Sequence, residues 1–536
     1  MARTPSRIAA DDWRLRFDRV RPRGAVLNPG TDQREPYPVY PTAYVTDRLL
    51  VSALLDDGGR TRTLLDETAA AYGWELVDDR EYRAVLPVDD REREERRSRY
   101  PWATGDLGFV RVLLVARTGA LPPDAWIVLR DARRRQGELD GGRLVGVGLD
   151  HILSVHAGFS AEPYHSTPYH STPYHSTPYH STPAGGFDPS GGGTPMGAYL
   201  FQGSGGRQPV TVVLPTPPRT EAGNRVIVAT LDTGLGAHDW LDRCRRDLTG
   251  LPMIGYTDDA DDPELHPDLV GPLDGQTDAL TGHGTFIAGL VHQAAPDADI
   301  AAWRVVGADG AISESEVGAA ITALATLIES ATATPQGKPQ LLIDVLSLSL
   351  GYYHETPEDT LIDITLAEQL LRIRRAGTVV VCSAGNDGTS RPMFPAAFGD
   401  WESTPADQVP WRGGADAAPL VSVGALNPNG STALFSNTGA WVRCYAPGAA
   451  VVSTMPAHPG GAEPIARTTA DARTRETVDA DDFRGGFAVW SGTSFAAPVV
   501  AGRIAAALHT EVRTADRDDR VKRATRITAD VLASTP

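Results

Sequence analysis

Apolar positions along this chain follow two different rhythms, with a stretch between them that follows neither. From residue 225 onward, short continuous apolar runs alternate with longer segments of helical spacing. The runs fall at 226–231, 299–306, 341–350, 378–383 and 420–426. An uninterrupted apolar run of strand length is what a parallel strand covered on both faces requires. Between the runs, one predicted helix opens with a capping box from Ser313 to Glu316 and continues to about residue 330. Another takes Thr356 as its N-cap and Pro357 as its first position, and spans 361–375. Strand–helix alternation of this kind predicts an α/β domain built on a doubly wound parallel sheet, whose sites lie at the carboxyl ends of the strands.

The first 157 residues read differently. An apolar run at 49–55, helical spacing at 63–72 and an extended apolar stretch at 82–88 form one strand–helix–strand unit. A strand at 109–116, a helix at 124–135 behind Pro122-Pro123, and a closing strand region at 143–155 form a second. Two such units predict a small α/β domain of ferredoxin-like type. The mixed charge run at 89–99 between them reads as a solvated loop or helix. Residues 163–182 are four copies of Pro-Tyr-His-Ser-Thr, followed by Gly- and Pro-rich sequence to about 224. Proline in every fifth position forbids a regular helix and favours an extended linker. The repeat histidines His165, His170, His175 and His180 offer weak transition-metal ligation at most. The predicted organisation is therefore 1–157, a linker at 158–224, and a domain at 225–536.

Charge sharpens this division. Residues 1–150 balance 25 acidic against 25 basic side chains, so the whole net charge of −18 lies in residues 151–536. An acidic domain repels phosphates, which argues against nucleic acid as a partner. Three cysteines, Cys244, Cys382 and Cys444, make neither a zinc spacing nor a disulfide framework. No secretory pattern stands at the N-terminus, and no apolar run of about 18 residues occurs. The expectation is a cytoplasmic protein without a membrane segment.

Four segments carry candidate chemistry. Leu231-Asp232-Thr233-Gly234 places a carboxylate at the end of a buried strand. Gly282-His283-Gly284-Thr285 brings a histidine into a helix between two glycines. Ser383-Ala384-Gly385-Asn386 sets an amide side chain just past another strand. Gly492-Thr493-Ser494-Phe495-Ala496-Ala497-Pro498 opens a small-residue helix with a serine. Each alone has a plain structural reading: a turn, a core histidine, a loop amide, a helix cap. In this order, and with these flanks, they resemble the subtilisin-like serine peptidases, over roughly residues 225–515. Ser349-Leu350-Gly351, Phe435-Ser436-Asn437 and Ala446-Pro447-Gly448 fit the same resemblance.

The resemblance implies a serine endopeptidase. Ser494 would be the nucleophile, His283 the base and Asp232 the residue that orients and stabilises the imidazole. The Asn386 side chain and the Ser494 backbone N–H would form the oxyanion hole. Ser349, Leu350 and Gly351 would pair with substrate backbone as an added strand. Peptide or protein is the implied substrate, and no cofactor is required. Calcium, common in the family, has no recognisable ligands here, since His238-Asp239-Trp240-Leu241 stands where an aspartate often follows the first motif. Three stretches depart from a compact member: the acidic Asp258-Asp259-Ala260-Asp261-Asp262, the segment with Trp401 and Trp411, and the polar stretch 456–487. Met393 would narrow the primary specificity pocket while Asp387 would favour a cation, so those cues conflict. The N-terminal domain is expected to act as a propeptide-like inhibitor, cut between about 151 and 162, or as a docking module. A catalytically silent peptidase fold used as a binding module is the alternative.

Overall fold

The computed structural model describes residues 24–27, 38–155, 195–199, 205–220, 225–270, 275–333, 342–356, 364–401, 416–460 and 464–535. The four-copy repeat, most of the predicted linker, Trp411, and the predicted helix start at 357–363 lie outside them.

The N-terminal region comprises β1 (Gly24–Leu27), β2 (Thr42–Ser52), α1 (Arg60–Ala70), β3 (Trp74–Leu86), α2 (Asp90–Arg99), β4 (Leu107–Ala116), α3 (Ala125–Asp140) and β5 (Val147–Ser154). Its strands lie in the order β3-β4-β2-β5, all neighbours antiparallel, with β1 on β2. The predicted units are present with shifted bounds. β2 begins seven residues before the apolar run at 49–55, and Leu54 and Leu55 turn out of it. β3 starts at Trp74, eight residues ahead of the predicted stretch, because its first half alternates buried Trp74 and Leu76 with exposed residues. One face of the sheet packs on α1 and α3 through Leu64, Leu65, Trp126 and Leu129.

Next come β6 (Gln208–Pro209), β7 (Ile227–Asp232), α4 (His283–Ala294), β8 (Asp299–Arg304), β9 (Ala311–Ser313), α5 (Glu314–Ala333), β10 (Val345–Leu348), α6 (Thr365–Arg375), β11 (Val379–Ser383), β12 (Leu420–Leu426) and β13 (Cys444–Pro447). The sheet β13-β12-β11-β10-β7-β8 is parallel throughout. Its two faces are assigned by residue parity, as the two-residue period of a strand demands. Val226, Val228, Ile300 and Val381 meet α4 and α7 (Thr493–His509) on one side. Ile227, Ala229, Leu231 and Val380 meet α5 and α6 on the other. The doubly wound expectation holds. The capping box is also formed, with the Ser313 N–H on Glu316 at 3.0 Å and the Glu316 N–H on the Ser313 hydroxyl at 3.4 Å. Helix α6, by contrast, begins at Thr365 behind Ile364 rather than at 361. β14 (Val451–Thr454), β17 (Phe487–Trp490) and β6 form a small antiparallel sheet, and β15 (Arg467–Ala470) pairs with β16 (Arg473–Glu476) as an exposed hairpin in the stretch 456–487. Among the described residues no helix is long and apolar enough to cross a membrane.

The open face of the N-terminal sheet lies on α5 and α6. Phe109 of β4 packs so closely against Gly318 of α5 that a Cβ there would sit 2.4 Å from its ring. The charge run forms helix α2, capped by the Asp89 side chain on the Glu92 N–H and mostly solvated as expected, with Arg96 as its one buried residue. Its Arg96 is only 1% exposed and faces Glu368 of α6 at 3.4 Å, with Arg99 on the same carboxylate at 3.1 Å. At the other end, Asp344 secures α8 (Arg517–Ala533). It meets Arg513 at 2.7 Å, Arg520 at 3.2 Å and Arg523 at 3.5 Å, and accepts the Ile227 N–H at 3.0 Å.

Removing one member of a buried ion network strands the others without compensation. Asp344→Ala is therefore expected to destabilise the protein by about 3–5 kcal/mol. Thermal unfolding should show a lower midpoint, and hydrogen exchange should show early loss of protection in α8.

Candidate active site

In the central sheet the chain runs from β7 to β8 on one side and then to β10 on the other, so order reverses at β7. The crevice at such a reversal lies beyond the carboxyl ends of the strands. Asp232 ends β7, and Ser349 directly follows β10. His283 opens α4 behind Gly282, whose φ of 80° suits glycine and whose Cβ would strike Met455 at 2.3 Å. Gly284 is required for a different reason: a Cβ there would stand 2.2 Å from the Gly234 carbonyl oxygen. The two motifs can approach this closely because Gly284 lacks a side chain.

The meeting brings His283 Nδ1 to 2.7 Å from Asp232 Oδ1, with both residues buried. The imidazole packs against the rings of Phe495 at 5.1 Å and Trp490 at 5.6 Å, which places it beside the start of α7. Asn386 follows β11, and its Oδ1 accepts both the Thr493 N–H and the Thr493 hydroxyl at 2.8 Å. With its oxygen committed, the amide has only its NH₂ group left to offer a ligand. The Ser349 hydroxyl donates to the Ser494 carbonyl at 3.0 Å, and the Ser494 hydroxyl lies 3.5 Å from the Ser349 carbonyl. Asp232, His283, Asn386, Ser494 and the segment Ser349-Leu350-Gly351 thus share one crevice.

That crevice is filled by the chain's own strand β5. Ser154 exchanges backbone hydrogen bonds with Gly351 at 3.0 and 3.2 Å, while Ile152, Leu153 and Ser154 pair antiparallel with β9. The Val155 N–H reaches the Gly310 carbonyl at 3.2 Å. The Ser494 hydroxyl donates to the Val155 carbonyl oxygen at 3.2 Å. The Asp150 carboxylate accepts the Ser315 N–H and hydroxyl at 2.9 and 2.8 Å, at the N-terminus of α5, where negative charge is favoured. Met393 abuts Gly351 and Gly385, where an added Cβ would lie 2.5 and 2.6 Å from its side chain. Burial pushes the Asp387 carboxyl up to about 6, against the Tyr353 hydroxyl it accepts at 2.5 Å and the nearby Arg391.

Sequence reasoning missed two groups. Glu264, buried behind the two motifs, accepts the Thr233 hydroxyl at 2.5 Å and the Gly284 N–H at 3.1 Å on one oxygen, and the Thr285 hydroxyl at 2.6 Å on the other. Burial pushes its carboxyl up to about 7 in spite of the two hydroxyl bonds. Nothing in the local pattern distinguished it from the acidic loop just before it. The second group is His151 with Glu314, His354 and Glu355. Among the described residues, His151, His354 and Glu355 are the one group of three whose possible metal-ligating atoms all lie within 4.8 Å of one another. Both nitrogens of His151 are already on carboxylates, Glu314 at 2.6 Å and Glu355 at 2.9 Å, so the cluster reads as an ion network.

Glu264→Ala would leave the Thr285 hydroxyl without its acceptor, at a cost of about 1–3 kcal/mol, while the Gly284 N–H keeps the Thr233 hydroxyl at 2.8 Å and that hydroxyl keeps Asp232 at 3.3 Å. Glu264→Gln keeps a carbonyl oxygen. A melting point lowered by the alanine and largely restored by the glutamine is the expected result of thermal denaturation.

The family model described as the subtilase family matches residues 223–535. An intracellular serine protease of Paenibacillus polymyxa is 27% identical over 298 residues, covering 53% of this chain and 66% of that protein. A thermophilic serine proteinase of Bacillus sp. (strain AK1) is 27% identical over 318 residues, covering 58% and 57%. The major intracellular serine protease of Bacillus subtilis (strain 168) is 25% identical over 248 residues, covering 44% and 61%. The chain thus spans between 57% and 66% of the length of these curated relatives. With the family model matching more than half of its length, and with the family's motifs meeting at the reversal of a doubly wound parallel sheet, the chain belongs to the subtilase family.

Proposed function

We propose that the protein is a serine endopeptidase whose N-terminal domain is a propeptide-like inhibitor, lying in the cleft as its own first product. The observation that carries this reading is the Ser494 hydroxyl at 3.2 Å from the carbonyl oxygen of Val155, in a strand paired to Gly351. A serine hydroxyl attacks a carbonyl carbon only when a base removes its proton. His283 takes that proton and returns it to the leaving amine, while Asp232 holds its Nδ1–H and stabilises the imidazolium. The oxyanion gathers at the Asn386 NH₂ group and the Ser494 N–H, at the positive end of α7. Water then hydrolyses the acyl-enzyme by the same path in reverse.

The division into residues 1–157, 158–224 and 225–536 belongs to this proposal. The N-terminal part is read as ferredoxin-like, which its strand order supports; it departs from a plain β-α-β-β-α-β sequence by the added strand β1 and by helix α2 between β3 and β4. The intracellular serine proteases among the relatives favour a cytoplasmic setting for the whole. Substrates are peptides or proteins, with the N-terminal domain as a partner in cis.

Ser494→Ala is expected to abolish hydrolysis, a loss of about 10⁶-fold in kcat, together with labelling by a fluorophosphonate. Asn386→Ala should cost less, about 10²–10³-fold, because the backbone donor remains. Equal losses in the two variants would contradict the oxyanion assignment, and a wild-type chain that never labels would contradict the peptidase itself.

A pH dependence follows from His151, which Glu314, Glu355, His354, Arg133 and Tyr352 surround. Burial pushes its imidazole down, but the charges and hydrogen bonds of Glu314 and Glu355 outweigh burial and hold it at about 10. A histidine raised above its free value of about 6.5 stabilises docking fully below that pH, and the contribution fades as pH rises toward about 10. In a Ser494→Ala background, the melting-point deficit caused by His151→Gln should be large at pH 6 and small at pH 10. A deficit independent of pH would show that His151 contributes packing alone.

A further inference from the structure

Residues 205–220 stand ahead of the family match at 223–535, yet they are fastened along the peptidase part. The Gly205 carbonyl accepts the Ser491 hydroxyl at 2.7 Å, and Gln208 and Pro209 pair antiparallel with Val489 and Ala488 of β17. Farther along, the Arg219 guanidinium donates to the Pro296 carbonyl at 2.9 Å. Arg207 reaches the loop that leads into α4. Its Nη1 is shared among the carbonyls of Asp278 at 2.8 Å, Ala279 at 3.2 Å and Thr281 at 3.2 Å, and its Nη2 donates to the Thr277 carbonyl at 2.9 Å. Two aromatic rings complete the seat, with the guanidinium carbon 5.0 Å from the centre of Trp490 and 5.5 Å from that of Phe483. A guanidinium is a planar fork of five N–H donors that also attracts aromatic faces, so it can serve several carbonyls and two rings at once.

What this seat supports is the base of the proposed reaction. The loop closes on itself, with the Thr281 N–H on the Asp278 carbonyl at 3.1 Å, and it delivers His283, whose N–H meets the Leu280 carbonyl at 3.0 Å. The Trp490 ring meets the His283 imidazole edge-on, with centroids 5.6 Å apart and planes at 89°. One guanidinium therefore touches both the turn that carries the histidine backbone and the ring against which its side chain packs. We infer that Arg207 is a positioning residue, which fixes the entry of α4 and the Trp490 ring and so keeps the imidazole on Asp232 at 2.7 Å. The inference rests on the reading of His283 and Ser494 as base and nucleophile. Arg207 acts through its neighbours and does not touch substrate. A lysine at 207 would bring the charge but only one nitrogen in place of two, so it cannot hold Thr277 and Thr281 as the fork does. Self-cleavage between about residues 151 and 162 leaves Arg207 on the catalytic piece, where the inference requires it.

The test uses the full chain incubated until its mass is constant, and follows its labelling by a fluorophosphonate. Saturation kinetics separate the rate constant of the reaction at the serine from the affinity for the probe. Arg207→Ala should lower that rate constant by about 10–10²-fold and leave the affinity as it is, because a displaced catalytic group costs rate rather than binding. Guanidinium chloride, far below the concentrations that unfold proteins, should restore much of the loss by filling the vacated seat, whereas sodium chloride at the same ionic strength should not. Arg207→Lys keeps the charge and covers the case in which the alanine variant does not fold; it too should label more slowly than wild type. A lowered melting point with an unchanged rate constant per labelled serine, in either variant, would make Arg207 a structural residue alone and overturn the inference. A loss in the alanine variant that guanidinium does not reverse would overturn it as well. Both results leave the peptidase standing, since wild type labels in each. A wild-type chain that never labels would overturn the peptidase and the role of Arg207 together.

Discussion

Residues 152–155 lie as a strand between two others, β9 on one side and Gly351 on the other, and this backbone pairing organises much of the molecule around it. A strand with partners on both edges leaves few of its backbone groups without hydrogen bonds, so it is held by register as well as by contact. The pairing makes β9 a sixth strand of the N-terminal sheet, which then covers α5 and α6. Around it the contacts follow the charge division of the sequence. Arg96 and Arg99 meet Glu368, Arg133 and His151 meet Glu355, and Arg375 meets Glu95 in the opposite sense. Buried pairs of this kind contribute little net stability, but breaking one is costly, which suits a contact meant to hold in a single register.

The crevice beneath that strand depends on close backbone approach. Gly284 against Gly234 allows the histidine-bearing helix to reach Asp232, and Glu264 then ties Thr233, Gly284 and Thr285 together from behind. Thr493 orients Asn386 from the other side. In the proposed mechanism Gly284, Glu264 and Thr493 never touch substrate. They set the distances at which the reacting groups work, and preorganised donors are effective because nothing has to rearrange as charge develops.

Much of this was legible in the chain itself. Asp232, His283, Asn386 and Ser494 each sit in a short motif whose small neighbours are a local consequence of tight packing, and a parallel sheet advertises itself through continuous apolar runs. The boundaries of β2 and β3 were less legible, because half-buried strands alternate and their first turns carry no apolar run. Glu264, Glu314, Glu355 and His151 could not be singled out. Their roles arise from partners 20 to more than 200 positions away, and no period or flank records such pairings. The helix α2 shows the same limit: a charge run reads as solvated until its Arg96 meets Glu368 across a domain contact.

The central claim is that the strand ending at Val155 leads the chain into a cleft where Ser494 is proposed to cut it. Intact mass spectrometry of freshly purified full-length wild type and Ser494→Ala, followed through incubation, tests it most directly. The account predicts that wild type splits between about residues 151 and 162 while the serine variant stays at full length. A wild-type chain that remains uncut yet hydrolyses added peptide at full rate would contradict it, and would make residues 1–157 a docking domain rather than a propeptide.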